Sequence, residues 1–314
     1  MRLFQRLAAA STIATFLLVS IGGLVRATKS GLGCGDNWPH CPGAVDRALV
    51  IELSHRAAAG VVIVLIGLLV ALAARIRRAD PRLLRLSVAA FALVLFQALL
   101  GAIVVWLELD ALSVVLHLAA AMSLLALLVW ITAWAFRHSH ERDTAHDAGL
   151  ARQATWVAAA VLALLLVGSY VTGRDAGYVF PDWPLMNGRF IPDFGAVSPG
   201  VRELLEIHFA HRLLAAVVGV VVVIFGLRVV RRSRDLPLQA KLAHAAMGAF
   251  ALEVLVGAGN VWTRLNPAFV TLHLALGALI WASVVGIAAV SRAGVAEQAG
   301  HRALGSAATA EPVL

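Results

Sequence analysis

"FQALLGAIVVWLELDALSVVLHLA", residues Phe96–Ala119, returns without a gap as "LEVLVGAGNVWTRLNPAFVTLHLA", residues Leu252–Ala275. Gly101 pairs with Gly257, Trp106 with Trp262 and His117 with His273, at an offset of 156. Each copy reads as two apolar helices joined by a short polar turn. The offset holds upstream, where "IELSHR" (Ile51–Arg56) matches "IHFAHR" (Ile207–Arg212) and pairs His55 with His211. The long loops match too. "GLGCGDNWPHCPG" (Gly31–Gly43) aligns with "GYVFPDWPLMNG" (Gly177–Gly188), pairing Asp36 with Asp182, Trp38 with Trp183 and Pro39 with Pro184. Self-similarity on this scale marks a duplicated architecture.

Composition sets the solvent. Hydrophobic residues make up 61% of the chain and charged residues 14%, against ~45–50% and ~25% in soluble domains. With a mean hydropathy of +0.86, the chain reads as an integral membrane protein whose partner is the lipid bilayer. The net charge of +8 fits arginine-rich cytoplasmic loops, and no nucleic-acid partner is expected.

A membrane-spanning helix needs ~20 mostly apolar residues. Eight spans are predicted, near 7–25, 49–74, 84–106, 112–136, 153–172, 204–230, 240–260 and 268–291. "RIRRADPR" and "RRSRDLP" follow the second and sixth spans and read as turns. The first span follows Arg2 and Arg6 like a signal peptide, but no clean small-residue cleavage site follows, so it is expected to stay as a helix. Counting Lys and Arg gives 17 on the side of both termini and 7 on the other. Both termini are therefore expected in the cytoplasm of a multi-pass cell-membrane protein, with the Cys34 loop outside.

The fold class expected is all-α, two four-helix bundles as parallel repeats. The halves are 1–140 and 150–292, with a disordered cytoplasmic tail over 293–314.

Four histidines fall inside predicted spans at matched positions: His55, His117, His211 and His273. At ~1.5 Å rise per residue all lie at similar depth, so helices two and four can present one pair and helices six and eight the other. A histidine in a span is costly and a functional candidate. For a single histidine, a buried hydrogen bond to a neighbouring helix is the stronger reading; for two duplicated pairs, ligation is. Haem fits best, because histidine is a common axial ligand and Ala57–Gly60 and Ala119–Ala121 leave room for a flat ring. A zinc or copper site would usually add a third or fourth ligand. His138, His140 and His146 read as solvated surface, and His40, His244 and His301 receive no role.

The halves differ at one telling position: Glu52 aligns with His208. Glu52 lies one turn before His55 on the same face. It could act as a base, carry protons or stabilise developing positive charge; it could equally be a helix-start glutamate favoured by the dipole. His208 could compete with His211 as ligand, and His211 is preferred because an Arg follows it, as one follows His55. Gln97 aligns with Glu253, whose acid either bonds a neighbouring helix or serves a proton path. Arg56 and Arg212 either snorkel or pair with haem propionates; Arg26 is a third propionate candidate.

Together, "GGLVRATKSGLGC…DNWPHC", "ELSHR", "LHLA", "PDWPLMNG", "HFAHR" and the second "LHLA" resemble the haem A synthase family over about residues 7–291. The resemblance implies an oxidoreductase that converts haem O to haem A, a ring methyl becoming a formyl group by successive hydroxylations and loss of water. It implies that His55 and His117 flank the substrate haem, that His211 and His273 ligate a resident haem b for electron transfer, and that Glu52 is required for activity. It also implies the outer-loop cysteine pair Cys34 and Cys41. Expected partners are haem O, a haem O synthase and an electron donor that the sequence does not identify. A bis-His dihaem electron carrier and a parallel-repeat transporter are the alternatives.

Cys34 and Cys41 are the only cysteines. Two are too few for a closed zinc site, and the C-x-x-C-H of c-type haem attachment is absent. An outward loop is where disulfides persist. The second copy has Val179 or Phe180 and Met186 at the matching places, so the loop fold does not require the pair. A disulfide is predicted, either a staple or a redox partner.

Overall fold

The computed structural model describes residues 1–42, 45–137, 147–195 and 197–293. His138, His140, His146, His301 and the tail from residue 294 onward lie outside the described residues. Among the described residues the structure is all-helical, with α1 (Arg2–Ala27), α2 (Arg47–Arg75), α3 (Pro81–Trp106), α4 (Ala111–Phe136), α5 (Ala148–Gly173), α6 (Pro199–Val230), α7 (Pro237–Trp262) and α8 (Pro267–Ala293). All eight are long and apolar enough to cross a membrane. At ~1.5 Å per residue even the 26-residue helices exceed a hydrocarbon core of ~30 Å.

Local chemistry starts the helices. The carboxylates of Asp46, Asp80, Asp110 and Asp147 accept N–H groups of the first turns of α2, α3, α4 and α5, satisfying donors that have no partner within the helix. Proline stands in the opening turn of α3, α6 and α7, where its missing N–H costs nothing. These caps explain why the helices begin earlier than the apolar runs. α6 starts at Pro199 rather than near 204, because its opening residues include the charged pair Arg202 and Glu203, which hydropathy does not register.

Helices α1–α4 touch one another in a closed ring, and so do α5–α8; the rings meet where α1 and α4 touch α8 and where α4 touches α5. Two apolar cores result, one within the first ring and one in the second that also takes in Val19, Met122 and Leu125 of α1 and α4. One is built on Phe4, Val62, Ile66, Leu83 and Leu128, the other on Val161, Val222, Phe225, Ile280 and Ile287. α8 is the inner helix: 78% of its most apolar window is buried, against 22–33% for the other seven. Those seven keep apolar faces outward, as lipid solvation requires.

On the turn between α2 and α3, Asp80 accepts from Trp134 Nε1 (2.9 Å) and Arg137 (2.8 Å). Arg82 and Arg137 both lie over the Trp134 ring. Burial works against the Asp80 charge, but the Trp134 and Arg137 hydrogen bonds outweigh it and hold the carboxyl below its ordinary range.

Candidate functional site

The chain runs up and down, so the 28–46 and 174–198 loops and the starts of α2, α4, α6 and α8 share one end. His55, His117, His211 and His273 lie near the starts of those four helices. The His211 and His273 rings lie edge to face, with centroids 6.4 Å apart and planes at 75°. His55 and His117 are close enough to interact electrostatically.

Each imidazole rests on a glycine of the preceding helix. His55 Cε1 lies 3.3 Å from where a Cβ on Gly22 would stand; the corresponding gaps are 3.3 Å for His117 on Gly101, 2.9 Å for His211 on Gly168 and 3.3 Å for His273 on Gly257. A Cβ would clash with the ring at Gly168 and press on it at the other three. Each Nδ1 is buried without an aligned hydrogen-bond partner, which leaves Nε2 as the nitrogen available to a ligand. Among the described residues, no group of three or more His, Cys, Asp or Glu is placed to hold a metal ion. Two imidazoles brought together without a third protein ligand beside them fit a group that supplies its own equatorial ligands, as haem does.

The sequence comparison noted the glycine pair 101/257 but missed Gly22 and Gly168. Those two are related by 146 residues, the offset of Asp36 to Asp182, because the second long loop carries the extra residues. Realigning α1 with α5 at that offset would have found them.

Glu52 is 3% exposed. Its Oε2 accepts the backbone N–H of Cys34 at 2.8 Å, and its Oε1 is paired with Arg56. Arg56 also donates to the carbonyls of Asn37 (2.9 Å) and His40 (3.1 Å), so it ties the carboxylate to the loop. The Cys34 and Cys41 sulfurs are bonded, and Cys34 is buried.

At the matching place, His208 is 6% exposed. Its Nδ1 lies 2.9 Å from the Ala176 carbonyl, and its Nε2 accepts Arg212 Nε at 3.1 Å. Both nitrogens are engaged, so His208 has none free to compete with His211. Arg212 donates to the carbonyls of Asp182 and Leu185, and its Nη2 is buried without a partner. Phe180 stacks near His208 at 5.1 Å and, like Cys34, is 1% exposed. Arg26 donates to the carbonyls of Thr172 and Gly173 at the end of α5. Thus the three arginines considered for propionates all spend donors on the protein, and Arg212 keeps Nη2 as a buried donor without a partner.

The loops differ in how they are fastened. Asp182 accepts the N–H groups of Gly188 and Asn187, both at 2.7 Å. The Gly188 bond, with that of Asn187, outweighs desolvation and holds the carboxyl below its ordinary range. Trp183 packs edge-on to Trp262 (6.0 Å) as Trp38 does to Trp106 (6.5 Å).

Residues 5–49 and 45–285 match the COX15-CtaA family, described as cytochrome oxidase assembly protein. The haem A synthase of Symbiobacterium thermophilum is 30% identical over 296 residues, covering 90% of this chain and 93% of that one. That of Shouchella clausii is 30% identical over 76% of this chain and 81% of its own. That of Staphylococcus aureus strain JH9 is 27% identical over 83% and 87%. Matches of this extent, over a helical membrane scaffold with two intramembrane histidine pairs, show that the chain belongs to the haem A synthase family of cytochrome oxidase assembly proteins.

Proposed function

We propose that this chain is an oxidoreductase that converts haem O to haem A, oxidising a ring methyl to a formyl group by successive hydroxylations. The observation that carries the reading is the buried Glu52 one turn before His55, where the second half has His208. The halves 1–140 and 150–292 are two copies of one four-helix unit, and only the first keeps an acid at this place. His55 and His117 hold the substrate haem. His211 and His273 hold a resident haem b, which supplies one-electron transfer when bound.

The chain's own residues bind, orient and exclude water. The glycine seats fix the imidazole positions. Arg56 and the Cys34 N–H fix the Glu52 carboxyl group in place on α2, where a carboxylate can take a proton or stabilise positive charge at a reacting carbon. Arg212 Nη2 is the donor suited to a haem propionate. The disulfide loop covers the first pair from the outer face, and both termini lie in the cytoplasm by the arginine count. Haem O synthase and an electron donor are the partners that this chemistry requires.

The test is haem extraction from cells that make haem O. Wild-type protein should yield haem A; Glu52→Ala should abolish it while leaving one tightly bound haem b. Absence of haem A with the wild type overturns the function, and normal haem A with Glu52→Ala overturns the role of Glu52.

A further inference from the structure

The two histidine pairs differ in what stands behind the ligands. On α7, Glu253 Oε1 lies 3.1 Å from His273 Nδ1, a contact distance not yet in line for a full hydrogen bond. Among the described residues this is the one histidine–carboxylate pair. Its other oxygen, Oε2, is buried and has no partner. Across from it on α8 is Gly277, whose added Cβ would stand 3.6 Å from Oε1 and 2.7 Å from a methyl of Leu165 on α5.

At the matching place in the first half, Gln97 donates its Nε2 to the backbone carbonyl of His117 at 2.9 Å, and Ala121 stands where α8 has Gly277. The first pair therefore has an amide tied to the backbone; the second has an acid beside the ring and a glycine that makes room for it.

We propose that Glu253 is a positioning residue that takes the Nδ1–H of His273 and sets the reduction potential of the haem bound by His211 and His273. The inference rests on those histidines being haem ligands. A histidine ligand whose second N–H is drawn to a carboxyl group is a stronger donor to the metal, and a stronger donor favours ferric over ferrous iron. The second site therefore has a lower potential than it would have with an amide at position 253. This difference gives the duplicated scaffold two electronically unequal sites.

The test is redox titration of the haem that copurifies with the full-length protein, followed by its visible spectrum and ferric low-spin EPR signal. Glu253→Gln keeps the shape and weakens the acceptor. Glu253→Asp keeps the acid but withdraws it, so a second variant remains should the first not fold. Both should move the midpoint upward, Glu253→Gln by about tenfold in ferric-over-ferrous preference, ~59 mV for one electron, and Glu253→Asp by less. The EPR g-values should shift with it. A bound haem with unchanged midpoint and g-values in either folded variant overturns the inference. A wild-type protein without haem, or one whose haem survives His273→Ala, overturns instead the assignment of His211 and His273 as ligands.

Discussion

At positions 52 and 208 the two halves fill the same buried place with opposite chemistry. Glu52 is held by an arginine and a loop N–H; His208 is held by an arginine and a loop carbonyl. Arg56 and Arg212 do the same mechanical work in both, fastening a Trp-Pro loop to the helix that carries the histidine. The scaffold therefore requires a polar group at this place to meet the arginine. It does not require an acid. An acid that fold stability leaves optional is a strong candidate for chemistry, whereas His208 has both nitrogens committed to structure.

The comparison can be broken most sharply at the ligands. His273→Ala should remove nearly all tightly bound haem, read as the Soret absorbance per protein, while His117→Ala should leave it. Loss in both variants would mean that the sites are not separable. Next, Glu52→Gln should lower haem A yield at least ~100-fold, the usual scale for a lost acid–base group. His208→Gln should leave the yield within a few-fold and act mainly on thermal stability, by about 1–3 kcal/mol for unpaired partners. Equal effects on yield would end the division of labour.

The glycine seats offer a finer test. Gly168→Ala should reduce haem occupancy more than Gly257→Ala, because the added Cβ would meet His211 at 2.9 Å but His273 at 3.3 Å. The smallest expected effect is on pH dependence. Asp80 titrates lower in the folded chain than in the unfolded one, so its contribution to stability is fully present above its unfolded value, ~3.9, and is lost as pH falls through the folded one. Asp80→Asn should flatten the melting temperature over that acid range, by roughly a few degrees; an unchanged slope would show the Trp134–Arg137 cluster to be neutral.

Much of this was legible in the sequence because lipid writes an unambiguous code: eight apolar runs gave eight helices, and a gapless self-match put four histidines at corresponding places. The charged helix starts escaped it, since Asp caps and the Arg202–Glu203 turn of α6 carry no apolar signal. The partners of the site arginines escaped it too. A guanidinium near a haem ligand invites a propionate, and only the folded loop reveals carbonyls of Asn37, His40, Asp182 and Leu185 within its reach. The Cys34 N–H on Glu52 was hidden for the same reason: a backbone donor has no letter in the sequence.

Adjacent glycines on α1 face two ways. Gly22 seats His55, and Gly23 lies against Leu274, the residue after His273, where an added Cβ would come within 2.9 Å. One helix is thus a party wall between the two halves. A helix with its side chains is about 10–12 Å across, and two glycines thin this one between the His55 ring and Leu274. A side chain larger than hydrogen at either position would push the His55 ring or Leu274 away from this wall, so one short stretch of α1 sets how closely both halves approach it.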